Sequence, residues 1–392
     1  MTRLRLVFIT RRFWPLVGGA EMAMAHLASA MQEAGHQVTI LTASWNPDWP
    51  QEILHRGVRV VRMAQPNQEF LGTWRYLRGI SSWLKRNRDQ FELVYVSMLK
   101  HDAYAAIGTG RQRKFPVVLR AEGGGETGDI GWQKRERFGR WIAGRCRQAA
   151  AVVTPGLVIQ QELVAAGYPV DRVHLIPNGV TALPPRTPER RIEAREAIGT
   201  AHAVLSLGRD TTLAVYTGRL SEEQGLTELV EAWAHVLRQR SNARLWLVGE
   251  GPLRDRLAVQ IERLQIRGRC VLVGTFDSVE ELLAAADLFI QPSREEGMSL
   301  TLLEAMAVGL PIVACDIPGN RALIQSGENG LLTPPGRPTA LAMAIESLLN
   351  SPERAAQYGA AARERAQQHF AIDETIRQHE VLFASCLSTF AN

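Results

Sequence analysis

Residues 292–314 read PSREEGMSLTLLEAMAVGLPIVA, and the fold turns on how this stretch is parsed. A short apolar run, Leu288–Gln291, leads into it, and Ile312–Ala314 closes it. Between them, Leu302, Leu303 and Met306 recur at the spacing of one helical face. Strand, loop, helix and strand in so few residues make a βαβ unit, whose strands are parallel and covered by helices. Ser299 is a good N-cap type, so the helix opens there, and the loop before it carries Glu295, Glu296 and Gly297.

Reading outward, the same alternation recurs along the chain. Toward the N-terminus the strand expectations are Ala214–Thr217, Arg244–Val248 and Cys270–Val273. Beyond a Pro-rich lapse they are Leu4–Thr10, Gln37–Thr42, Val58–Arg62, Leu93–Ser97, Val117–Leu119, Ala151–Thr154 and Val173–Ile176. Residues 1–180 form one doubly wound α/β domain, 181–212 a linker region around Leu183-Pro184-Pro185, and 213–370 a second domain of the same architecture. After Pro352 the chain reads as helical to its end.

Composition sets the broad class. The chain has 392 residues, 46% hydrophobic and 22% charged, which suits a two-domain globular protein without long disorder. Cys146, Cys270, Cys315 and Cys386 show neither pairing nor metal-ligand spacing, and the expectation is a reducing, cytoplasmic setting. Residues 1–180 carry 24 Lys and Arg against 14 Asp and Glu, a net of +10, whereas 181–392 carry 21 against 26, a net of −5. Basicity confined to one half suits an anionic partner or surface, and no nucleic-acid motif accompanies it.

Ligands of open parallel sheets bind beyond the carboxyl ends of the strands, where helix N-termini offer N–H groups to phosphate. Four such places stand out. The loop Phe13–Glu21 after the first strand contains Gly18 and Gly19. Tyr216-Thr217-Gly218-Arg219-Leu220 supplies a cation, Arg219, placed to neutralise a diphosphate. Val248-Gly249-Glu250-Gly251-Pro252 and Val273-Gly274-Thr275-Phe276 are loops suited to a base and ribose. In the 292–314 stretch, Glu296 in the loop and Glu304, about one and a half turns into the helix, suit sugar and ribose hydroxyls flanking a phosphate at the helix start.

Together these residues resemble the retaining glycosyltransferase family 4 of GT-B fold. The likeness runs through Pro15–Glu21, Gly35-His36-Gln37-Val38, Ile176-Pro177-Asn178-Gly179-Val180, Gly218-Arg219-Leu220, Val248–Pro252, Glu296 with Glu304, Gly309-Leu310-Pro311 and Asn329-Gly330. It implies two Rossmann-like domains with parallel sheets facing an interdomain cleft, the nucleotide sugar on the second and the acceptor on the first. It also implies a C-terminal helix, 371–392, returning to the N-terminal domain. By that likeness Glu304 binds ribose, Glu296 binds the transferred sugar, and the backbone of Gly297, Met298, Ser299 and Leu300 meets sugar and phosphates. Gly18 or Gly19 covers the diphosphate, with Gly249 and Thr275 completing the donor site. The likeness further implies catalysis that retains anomeric configuration through an oxocarbenium-like state, without a metal or a protein nucleophile, and the sequence has no Asp-x-Asp motif.

Two positions depart from that family. Many relatives carry Lys-Gly where this chain has Gln224-Gly225, and His-Gly where it has Glu122-Gly123. The expectations are that Arg120 or another basic residue compensates for the missing Lys, and that Glu122 reads a sugar hydroxyl. The expected donor is a UDP- or GDP-sugar, and the expected acceptor an unidentified glycan, lipid or small molecule. Trp74–Arg88 and Trp132–Arg147 are basic and aromatic, which suits either peripheral contact with the inner membrane face or ordinary outer helices with aromatic anchors. The two departures also fit a catalytically degenerate GT-B scaffold or a sugar-nucleotide-binding protein; the intact Arg219, Glu296 and Glu304 favour the enzyme.

Overall fold

A computed structural model describes residues 3–16, 18–63, 69–208, 210–276 and 279–391. Val17, within the loop singled out between Phe13 and Glu21, lies outside them. The chain divides into two compact units, residues 1–179 with 372–392, and residues 180–371.

The strands of the first unit are β1 (Arg5–Ile9), β2 (Gln37–Ala43), β3 (Glu52–His55), β4 (Val58–Met63), β5 (Leu93–Ser97), β6 (Val117–Arg120), β7 (Ala151–Thr154) and β8 (Val173–Leu175). They form one sheet in the order β3-β4-β2-β1-β5-β6-β7-β8. Every pairing is parallel except β3 with β4, an antiparallel edge. Side chains alternate across a strand, and the cores follow that period. Val7 and Ile9 pack on one face with Tyr76, Ile107 and Phe115, while Leu6 and Phe8 pack on the other with Met24, Leu27 and Phe383. Burial on both faces explains why these strands read as unbroken apolar runs.

Phe383 belongs to the terminal helix Ile372–Ala391, which packs against helix Gly19–Glu33 within this unit. Its His379 lies fully buried, with Nε2 3.0 Å from Tyr95 Oη, and burial pushes its pKa down to about 3.

The second unit holds β9 (Leu213–Thr217), β10 (Arg244–Val248), β11 (Cys270–Gly274), β12 (Leu288–Gln291), β13 (Ile312–Cys315) and β14 (Leu331–Thr333), all parallel, in the order β11-β10-β9-β12-β13-β14. Again two cores flank one sheet, Leu213 and Val215 facing Leu302 and Met306, and Ala214 and Tyr216 facing Leu229 and Trp233.

The expected linker is corrected by this arrangement: 181–212 lies inside the second unit. Thr187 caps helix Pro188–Ala201, its Oγ1 accepting from Arg190 N at 3.2 Å. Asp287 then gathers Arg186, Arg191 and Arg195 at 2.6, 2.7 and 2.8 Å. Ion pairing with Asp287, joined to burial of Ala194 and Ile198, docks a helix whose composition looks solvent-borne.

Both sheets contain a point where successive connections set off in opposite directions. In the first unit it falls between β1 and β5, and in the second between β9 and β12. Crevices open at the carboxyl ends of such strand pairs.

Candidate functional site

The second unit's switch point gathers most of the residues singled out for donor binding. Beyond β9 the chain makes a one-turn helix, Glu222–Gln224, and beyond β12 it runs through Pro292–Met298 before helix Leu300–Val308. These two loops are fastened together. Arg294 N donates to Glu223 O at 2.8 Å, and Gly225 turns with φ of 64° so closely beneath Pro292 that a Cβ would stand 2.1 Å from its carbonyl oxygen.

Gln224 lies at the centre of this junction. Its Oε1 accepts from Tyr216 Oη at 3.1 Å and from Ser293 Oγ at 3.0 Å. Its Nε2 lies 3.4 Å from Glu296 Oε2, the same oxygen that Ser293 Oγ approaches at 3.4 Å and Gln291 Nε2 at 3.5 Å. Neutral donors therefore surround Glu296, and burial outweighs them, raising its pKa above the ordinary glutamate range. Behind the loop, Gly319 lets a neighbouring segment approach so closely that a Cβ there would come within 2.4 Å of Glu296 O.

Ser299 does cap its helix: Oγ accepts from Leu302 N at 3.2 Å. Helix geometry leaves the N–H groups of Leu300 and Thr301 without intrahelical acceptors, so they are the ones an anion can use. Met298, Ser299, Leu300 and Glu304 are buried around this start. Arg219 is exposed at the end of β9, and its carbonyl accepts from Tyr216 Oη at 2.9 Å. Gly249 joins the neighbouring strand ends, its N–H donating to Gly274 O at 2.7 Å, and Thr275 is exposed just beyond β11.

In the first unit, Gly18 is the extended N-cap of helix Gly19–Glu33, whose first turn carries Glu21. Glu122 follows β6 and is mostly committed: its Oε1 accepts from Ser97 Oγ at 2.8 Å and from Arg120 Nε at 2.9 Å. Arg120 also donates to Asn178 Oδ1 and is only 2% exposed. The expectation that Arg120 supplies a diphosphate cation is thus corrected, because its guanidinium is spent on a buried carboxylate and a buried amide. Burial raises the pKa of Glu122 despite that partner.

Sequence reading missed Tyr216, Gln291 and Ser293, which hold Gln224 and Glu296 in register. A polar Gln closing the otherwise apolar run LFIQ was the available signal.

Comparison with known proteins adds the family. Residues 18–179 match the glycosyl transferase 4-like domain, and residues 199–365 match glycosyl transferases group 1. The chain belongs to the family 4-type glycosyltransferases of GT-B fold. This glycosyltransferase is 23% identical over 358 residues to an uncharacterized glycosyltransferase of Methanocaldococcus jannaschii, covering 88% of this chain and 89% of that one. It is 31% identical over 169 residues to the alpha-D-kanosaminyltransferase of Streptomyces kanamyceticus, spanning 43% of this chain and less than half, 42%, of that relative. The structure of Anabaena HepE in complex with UDP and glucose superposes with a TM-score of 0.79 at 22% identity, covering 98% of this chain and all of that one, and shares the fold.

Proposed function

We propose that this glycosyltransferase moves a hexose-type sugar from a UDP- or GDP-linked donor to an acceptor on the first unit, with retention of configuration and without a metal. The junction of Gln224 and Glu296 beside an uncommitted helix start carries this reading. It brings a carboxylate suited to sugar hydroxyls next to N–H groups suited to phosphate. Arg219 stabilises the leaving diphosphate, Glu304 takes the ribose, and Gly297 to Leu300 meet sugar and phosphates through the backbone. Gly18, Gly19, Gly249 and Thr275 complete the donor contacts, and Glu122 orients a hydroxyl. Complexes of HepE with UDP and with UDP-glucose make UDP the first nucleotide to try.

The test is thermal shift with UDP, GDP, ADP and their hexose conjugates. A ligand at about a hundred times its Kd stabilises by about 2.7 kcal/mol. Selective stabilisation by one diphosphate, abolished in Glu304→Ala, is expected. No shift from any of them at saturating concentration, or an unaltered shift in Glu304→Ala, would refute the assignment. Product anomeric configuration by NMR and turnover in EDTA then check retention and metal independence.

Among the described residues, no helix is long and apolar enough to cross a membrane. Of the two basic aromatic stretches, the first buries Tyr76 and Trp83 but leaves Trp74 52% exposed, and the second leaves Phe138 and Trp141 45% and 75% exposed beside exposed Arg137 and Arg140. These exposed rings support peripheral contact with an anionic, cytoplasmic membrane face. Cosedimentation with phosphatidylglycerol vesicles at low salt, lost when Trp141 and Phe138 become Ser, is the expected result; binding unaffected by that change would dismiss the contact.

A further inference from the structure

The first unit's switch point, between β1 and β5, holds a cluster of side chains that donor chemistry does not use. Arg11 lies just beyond β1. Its guanidinium sits 5.6 Å from the centroid of Tyr76, and Nη2 donates to Thr73 Oγ1 at 2.8 Å. Arg12 lies 5.5 Å from the ring of Trp45, whose Nε1 donates to Arg11 O at 2.9 Å. Lys100, beyond β5, has Nζ 5.5 Å from the centroid of Trp132, and His101 meets the same indole edge-on at 5.2 Å.

Three arginines of this unit are paired with carboxylates, Arg5 with Glu92, Arg59 with Glu52 and Arg120 with Glu122. Among the described residues Arg11, Arg12 and Lys100 have no such ion pair. Stacking on an aromatic face orients a cation while leaving its charge and most of its N–H donors available. Arg11 and Lys100 follow the paired ends of neighbouring strands, with Ile9 opposite Val96. Burial lowers the pKa of His101, with Arg11 and Lys100 pushing the same way and Glu136 opposing. Burial raises that of Asp102 to about 6 against the pull of Arg11, of the Tyr76 hydrogen bond and of Lys100. Both cations thus act on the same two adjacent side chains. Asp102 is 4% exposed, with Oδ2 accepting from Tyr76 Oη at 3.1 Å, and so secures the ring on which Arg11 rests.

We propose that the carboxyl ends of β1 and β5 bind an anionic oxygen group of the acceptor, a phosphate or phosphodiester, held by Arg11 and Lys100. Calling the ligand the acceptor rests on the transferase reading above; the anion site itself does not. A phosphate of this kind belongs either to a soluble ester or to a lipid headgroup.

The test titrates the full chain with glycerol 1-phosphate by calorimetry at low salt, with UDP in excess, alongside sedimentation with phosphatidylglycerol vesicles. Arg11→Gln and Lys100→Gln should each weaken the interaction about tenfold. Arg113→Gln removes the same charge from the far end of helix His101–Arg113 and should change nothing. Loss of glycerol phosphate binding in the two variants assigns a soluble ester, and loss of vesicle binding alone assigns a headgroup. Wild-type behaviour of Arg11→Gln and Lys100→Gln, an equal loss in Arg113→Gln, or no binding to either probe would overturn the site. Lys100→Gln keeps the test sound if Arg11→Gln misfolds. A failed UDP shift with this dependence intact would count against the donor reading alone, and the reverse pattern against this site alone.

Discussion

Asp102→Asn isolates the energetic cost of a carboxylate beneath the Arg11–Tyr76 stack. The side chain is 4% exposed, one oxygen bonds Tyr76, and the other, Oδ1, is buried with no hydrogen-bond partner among the described residues. Burial lifts its pKa from the ordinary 3.8 to about 6. Because the folded chain holds a proton that the unfolded chain has released, wild-type stability falls as pH rises between those two values. At about 1.4 kcal/mol per pH unit the full deficit is about 3 kcal/mol, of which about 2 kcal/mol develops between pH 4 and 7.5. Asn cannot ionise and escapes this term. Urea unfolding of both proteins across that range should therefore show the stability difference moving in favour of Asp102→Asn by about 2 kcal/mol toward pH 7.5, whatever constant offset the amide introduces. A difference independent of pH would mean that the folded chain does not hold Asp102 protonated in this window, and the account of its environment would be wrong.

Three further outcomes follow from the site geometry. In Gln224→Lys a cation replaces a neutral donor beside Glu296, so the acid limb of the kcat/KM profile, set by loss of the ionised carboxylate below its raised pKa, should move to lower pH as donor affinity rises; an unmoved limb would show that Glu296 does not sense position 224. Gly225→Ala forces a side chain into a left-handed turn and against Pro292 O, and denaturant titration should show a loss of at least about 2 kcal/mol together with weaker UDP binding. Glu122→Ala leaves Arg120 buried without its carboxylate and should lower stability by about 3 kcal/mol, with Glu122→Gln milder, so that calorimetric melting rather than turnover alone registers the change.

Most of the architecture was legible because a parallel sheet covered on both faces demands apolar strands separated by amphipathic helices. LVYVS at 93–97 and RLWLV at 244–248 have the length and the β-branched or aromatic content of buried strands. The exceptions have physical causes. β3 is a half-exposed antiparallel edge, Glu52–His55, with no apolar run to betray it, and β14 is three residues long. The supposed linker is polar because its arginines are spent on Asp287, a partner some 90 to 100 positions away in sequence. Local composition cannot report a contact of that kind.

The site shows the same division between what is local and what is folded together. Ser299 as a cap, Glu304 on the helix and glycines at strand ends are local patterns and were found as such. The surroundings of Glu296 are not, since Gln224, Tyr216 and Ser293 meet it only through the junction of two strand-end loops. Read alone, Gln224 is a lost lysine and calls for a compensating cation elsewhere. In the structure it is one member of a neutral cradle, and Arg120, the named substitute, is buried against Glu122 and Asn178. Arg120 therefore does not restore the missing charge. A carboxylate held by amides and hydroxyls binds its ligand through hydrogen bonds that change little with ionic strength, whereas one held by lysine would not. Donor affinity in wild type should accordingly vary less with salt than in Gln224→Lys, a comparison that separates a substituted cradle from a damaged one.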